Sequence, residues 1–219
     1  MGFSKLSEFQ REVLEAIFAR EQGLFLTGGA ALAEYHIGHR TTDDLDLFTV
    51  DASAFERSRY VIAAVADELG AKLEVRQDAP GFRRYTLTRG ESTVVVDAVH
   101  ERVAQRVPEK PHVGAVVVDP PEEILANKLT AVVGRMEERD LVDILFLERA
   151  GYRVEDALPA ALAKDGGCTP ATLAWLLSEV RIPDGIDLPG GVRPEELRAF
   201  VDGLVVRLRR AALPPAGSS

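Results

Sequence analysis

Cysteine is almost missing from this chain: Cys168 stands alone among 219 residues. That excludes an internal disulfide and a cysteine-rich zinc site, and a cytoplasmic setting is the simplest expectation. Long apolar runs are missing too. None approaches the roughly 20 residues needed to cross a bilayer, so no membrane association is expected. The first ten residues lack the long apolar segment of a signal peptide. Gly2 followed by Ser7 does not fit the usual myristoylation spacing. Positive charge is in deficit. The net charge of −9 argues against a protein that coats nucleic acid generally, though it leaves room for a local basic surface. Walker A, Rossmann, kinase and Gly-x-Ser-x-Gly signatures are absent, and nothing points to a redox cofactor.

What remains is a globular composition, 46% hydrophobic and 28% charged, long enough for one large or two small domains. Leu6, Phe9, Val13, Leu14, Ile17 and Phe18 recur at helical spacing and predict a helix within 5–20. Strands are expected at 24–27, 44–50, 71–76, 82–89 and 92–99, with a further short one at 115–118. A helix over 53–69 should end at Gly70. Pro120 and Pro121 mark a change, and Asp119 can cap the helix that follows. Helices are then predicted at 121–135, 138–149, 154–164, 170–181 and 194–211. Trp175 reads with Leu173, Leu176 and Leu177 as packing among them. The segment 182–193 is a connector. The fold class is therefore α/β (α+β): a small mixed sheet flanked by helices over 1–118, a helical domain over 119–213, and a disordered tail at 214–219.

Residues 28–48 carry most of the chemistry. Gly28 and Gly29 open a short alanine-rich helix, a loop with His39 and Arg40 follows, and a strand then presents Asp44 and Asp46. Side chains two apart on a strand share a face. Two carboxylates so placed repel each other unless a cation lies between them. Hard oxygen ligands suit Mg²⁺, which takes one or two protein carboxylates plus substrate phosphates. The Gly-Gly turn offers backbone N–H groups to an anion. A phosphate cradle beside metal-binding carboxylates is equipment for phosphoryl or nucleotidyl transfer. Each part also has a plain reading, since Asp-rich turns start strands and Gly-Gly makes turns.

The stretch resembles the signature of the AbiEii/AbiGii-type nucleotidyltransferases, the toxins of type IV toxin–antitoxin systems, within the polymerase-β-like superfamily. The match is closest over His39 to Phe48. Gly-Gly replaces the more general Gly-Ser, removing one hydroxyl that could bind phosphate. The resemblance implies that 1–118 is the nucleotidyltransferase domain and that Asp44 and Asp46 hold Mg²⁺. It implies a third acid on a later strand. Asp97, which interrupts the apolar run Val94 to Val99, is the candidate, as metal ligand or as the group that takes the acceptor's proton. Its alternative is an exposed strand end. The resemblance also makes Lys128, on an Asn-Lys helix, a point charge on phosphates. Asp140 or Asp143 of the Arg-Asp-x-x-Asp segment would hold Lys128, Arg40 or substrate. Ordinary surface ion pairing is the alternative for these two. Gly28, Gly29, Arg40 and Thr42 complete the nucleotide-binding set.

The implied partners are an NTP, an RNA acceptor such as a tRNA 3′ end, and a cognate antitoxin. Arginine clusters at 83, 84 and 89, at 102 and 106 with Lys110, and at 207, 209 and 210 are candidates for touching RNA or for a solvated face. The acidic balance fits an alternative in which the acceptor is a small cationic molecule of aminoglycoside type. A non-catalytic nucleotide-binding protein is the remaining reading. His36 and His39 lack a nearby third ligand, so His36 is read as structural rather than zinc-binding.

Overall fold

The computed structural model describes residues 4–213, so the tail expected to be disordered at 214–219 lies outside the described residues. Helix α1 (Glu8–Phe18) begins with a capping box. The Ser7 hydroxyl accepts from the Gln10 N–H, and the Gln10 side chain accepts from the Ser7 N–H. Its Phe9, Val13, Leu14, Ile17 and Phe18 are buried, as their spacing requires. Strand β1 (Phe25–Thr27) runs into the short helix α2 (Gly28–Ala31), which continues as one π-helical turn over Leu32–His36. Then come β2 (Asp44–Thr49), α3 (Ala52–Glu68), β3 (Lys72–Ala79), β4 (Phe82–Arg89) and β5 (Ser92–His100). Asp51 caps α3 by accepting from the Ser53 N–H, and Gly70 follows it at φ +62°.

These strands form one mixed sheet in the order β1-β2-β5-β4-β3. β2 and β5 run parallel, joined by the long crossover through α3 and the β3–β4 hairpin, and the other pairs are antiparallel. Alternation sorts the two faces. Leu45 and Leu47 of β2, Val94, Val96 and Ala98 of β5, and Tyr85 and Leu87 of β4 are buried. They form the core face, against which α1 and α3 pack. Burying each large apolar side chain contributes at most about 1.5–3 kcal/mol. The opposite face therefore receives Asp44, Asp46, Asp97 and Arg84. β3 is the outer strand. It has a bulge between Val75 and Gln77 and bears Lys72, Glu74, Arg76 and Asp78. The strand expected at 115–118 is only the two-residue β7 (Val116–Val117), paired with β6 (His112–Val113), with a bridge from Val118 to Leu26.

The chain separates into two compact units. One runs to Arg102 and takes in Val107–Pro120; the other comprises Val103–Arg106 and the chain from Pro121. The second unit holds α4 (Pro121–Gly134), α5 (Glu138–Arg149), α6 (Val154–Lys164), α7 (Pro170–Ser178) and α8 (Pro194–Ala211). Two expectations need correction. α7 stops at Ser178, because the Glu179 N–H turns to the Leu176 carbonyl and tightens the last turn. Trp175 is 63% exposed: Leu173 and Leu177 share the buried face of α7, and residue 175 falls opposite. The Asp119 carboxylate is buried in the first unit, with Lys110 Nζ at 2.7 Å, and accepts from Thr27 Oγ1 at 2.7 Å. Among the described residues, no helix is long and apolar enough to cross a membrane.

Candidate active site

One row of residues runs across the sheet on its polar face. Thr27 of β1 lies beside Asp46 of β2, Asp46 beside Asp97 of β5, and Asp97 beside Arg84 of β4. Asp44 sits two residues before Asp46 on the same face. The structure thus brings together the three carboxylates singled out from the sequence. Asp97 is no exposed strand end, being 4% exposed.

The loop before β2 is anchored from below. Gln10 Nε2 donates to the Thr42 carbonyl at 2.8 Å, and Thr42 Oγ1 donates to Asp44 Oδ1 at 2.7 Å. Thr42 therefore orients one carboxylate of the pair, beyond the phosphate or turn role expected of it. The two glycines are explained by close approach. Gly28 has φ +63°, and a Cβ there would overlap the Asp46 carboxylate. A Cβ on Gly29 would overlap the Arg40 guanidinium. Arg40 thus lies over the first residues of α2, and its Nη1 donates to the Thr41 carbonyl at 3.1 Å. His36 Nε2 lies 2.8 Å from the Asp119 carbonyl oxygen, which supports its structural reading.

Arg84 was not foreseen in this place. Its Nε and Nη2 donate to the two oxygens of Asp97 at 2.7 and 2.6 Å. The Asp97 hydrogen bond, against the opposing effect of burial, holds the guanidinium above its ordinary pKa, and the charges of Asp97, Asp44 and Asp46 add to this. The sequence does contain the signal. β4 and β5 are joined by the tight Gly90-Glu91 turn, and counting back from it sets Arg84 opposite Asp97. Arg83, on the opposite face, is buried and donates to the Phe55 carbonyl, Asp78 and Glu56. Arg89 bonds to Glu12, Lys110 pairs with Asp119, and Arg207 bonds to Glu148. Of the basic residues offered for RNA contact or for a solvated face, these are paired with acids.

In the second unit, Lys128 Nζ lies 2.7 Å from Asp140 Oδ1 and 2.7 Å from Asp143 Oδ2. Both carboxylates are fully buried, so they are not a surface ion pair. Burial would lower the lysine's pKa, but Asp143 and Asp140 outweigh it and hold Lys128 above its ordinary value. Burial would likewise raise Asp140, and Lys128 with Arg135 holds it below the ordinary carboxylate range.

The donor set in the first unit suits a hard divalent ion, since it consists of carboxylate oxygens without thiolate or imidazole. Among the described residues, no three acidic, histidine or cysteine side chains converge as a ready-made metal cluster. Both oxygens of Asp97 are engaged by Arg84. Asp44 and Asp46, two apart on the same face, are the pair that could hold an ion.

JHP933 from Helicobacter pylori has a similar solved structure, with a TM-score of 0.53 and 19% identity over 94% of this chain and 96% of that one. A putative nucleotidyltransferase from H. pylori gives 0.54 and 20% over the same shares. At these identities the likeness establishes the fold. No curated protein matched. The family described as nucleotidyl transferase AbiEii toxin, type IV TA system, matches residues 12–212. With the match covering most of its length, the chain belongs to the AbiEii family of nucleotidyltransferase toxins.

Proposed function

We propose that the protein transfers a nucleoside monophosphate from an NTP to a hydroxyl on RNA, such as a tRNA 3′ end, in the cytoplasm and under control of a cognate antitoxin. The observation that carries this reading is the register of Asp46 beside Asp97, with Asp44 on the same face and Gly28 against Asp46. Asp44 and Asp46, joined by Asp97, would hold Mg²⁺, which when bound supplies charge neutralisation for the triphosphate. Arg40 and the backbone N–H groups of Gly28 and Gly29 hold phosphate oxygens. Thr42 keeps Asp44 in its rotamer. Asp97 orients the acceptor hydroxyl and receives its proton. The hydroxyl oxygen then bonds to the α-phosphorus, the bridging P–O bond to the β-phosphate breaks, and pyrophosphate leaves. Lys128, Asp140 and Asp143 remain in the proposal as the residues that the family resemblance singles out in the second unit.

The acceptor is open to a second reading because of one observation. Arg83, Arg84 and Arg89 are each paired with acids, which weakens the case for an RNA surface and favours a small cationic acceptor. Incubating the whole protein with Mg²⁺ and each α-labelled NTP, with total RNA or an aminoglycoside, separates the two. Label on RNA that disappears in Asp44→Asn supports the toxin reading. Label on the aminoglycoside alone replaces it with the small-molecule reading.

A further inference from the structure

Three carboxylates on neighbouring positions of two paired strands should repel strongly. Strands lie about 4.8 Å apart, and like charges directly opposite are destabilising. A cationic side chain compensates one of them. Arg84 grips Asp97 through both oxygens, in the fork geometry that makes guanidinium–carboxylate pairs strong. Asp97 is almost fully covered, while the Arg84 side chain is 46% exposed. Its guanidinium also lies 5.6 Å over the Phe82 ring. The arginine can therefore leave the carboxylate into solvent without opening the core.

We propose that Arg84 is an internal cation that holds the carboxylate cluster until a divalent ion binds, so that the Arg84–Asp97 pair and the ion compete for the same oxygens. This rests on the reading of Asp44, Asp46 and Asp97 as ion ligands. With Arg84 paired, the cluster keeps a lower negative charge and a fixed Asp97 rotamer. With the ion bound, Asp97 turns from the guanidinium towards its neighbours, and Arg84 is released. Arg84 thereby sets how tightly the ion is held, without being a ligand itself.

The test is a Mn²⁺ titration of the whole chain at fixed pH and ionic strength, following free Mn²⁺ by electron paramagnetic resonance. Arg84→Met should bind Mn²⁺ about tenfold more tightly than wild type, since a competing unit charge a few ångströms away has been removed, partly screened by solvent. Arg84→Lys should fall between, because an ammonium keeps the charge but loses the fork. The Asp44→Asn, Asp46→Asn double variant should bind much more weakly. A second readout is thermal. Removing Arg84 leaves Asp97 covered and without its fork partner, so Mn²⁺ should raise the melting temperature of Arg84→Met more than that of wild type. If Arg84→Met does not fold, Arg84→Lys with tighter Mn²⁺ binding than wild type carries the same conclusion. Equal or weaker Mn²⁺ binding in the folded variants, with wild type binding normally, overturns the inference alone. No Mn²⁺ binding in any variant overturns the ion-ligand reading and the inference with it.

Discussion

The side-chain amide of Gln10 ties helix α1 to the loop before strand β2. Nε2 donates to the Thr42 carbonyl, while Oε1 accepts from the Ser7 N–H. One buried glutamine thus caps a helix and fixes the residue that orients Asp44. Gln10→Ala should lose about 1 kcal/mol from the cap and about 1–3 kcal/mol from the unsatisfied Thr42 carbonyl. Urea unfolding measures both losses, and the rate of NMP transfer reports whether Asp44 is still held in place. A variant with wild-type stability and turnover would remove the link.

Asp44→Asn and Asp46→Asn should each reduce transfer by at least about a hundredfold, a loss in the range expected when a transition-state charge loses its counter-charge. Their melting temperatures should match or exceed that of wild type, because removing one of two crowded charges relieves repulsion. Retained turnover in the double variant would refute the assignment.

The glycines separate cleanly. Gly28→Ala imposes a left-handed backbone on alanine, costing about 1 kcal/mol, and drives a methyl into the Asp46 carboxylate. Gly29→Ala meets the end of a long arginine side chain, which can swing away. Transfer should fall far more in Gly28→Ala, whereas Gly29→Ala should chiefly raise the KM for NTP. Equal effects in steady-state kinetics would argue against the close approach.

The Lys128 triad sets a pH window. Asp140 is held below its ordinary range, so its contribution is present above the unfolded pKa of about 3.9 and is lost as pH falls through the folded value. Lys128 is held above its ordinary value. Its contribution is complete below about pH 10.4 and is lost as pH rises through the folded value. Lys128→Met should cost about 3–5 kcal/mol by stranding two buried carboxylates, and Asp140→Asn should flatten the acid limb. Denaturant titrations across pH give both. NTP affinity of whichever variant folds tests the phosphate role separately.

Trp175 is the only tryptophan. Its exposure predicts ready quenching by iodide and a Trp175→Ala stability change within about 0.5 kcal/mol. Strong protection from quencher would contradict the placement.

Much of this was legible in the sequence, for identifiable reasons. Helices α4, α5 and α8 declare themselves by proline or acidic residues in the first turn and by periodicity, and Asp44 with Asp46 share a face by strand geometry alone. The partnership of Asp46 with Asp97 was not derivable locally. It depends on the parallel pairing of β2 with β5 across an intervening helix and hairpin. The ion pairs of the arginines were hidden for a related reason. Their acids lie on other elements: Glu56 on α3 for Arg83, and Glu12 on α1 for Arg89. Trp175 was misjudged because a run of apolar residues hides which face of a helix is covered.

The two margins of the sheet have a consequence for association. On one side β3 alternates charge along its length and is kinked by the bulge after Val75. On the other, three-residue β1 is covered where Val118 bridges Leu26 and the Asp119 N–H donates to the Leu26 carbonyl. Charged, bulged or covered margins offer poor templates for hydrogen-bonded strand addition. A second copy or a partner chain is thus discouraged from lengthening this sheet, and recognition falls to side chains on its surfaces.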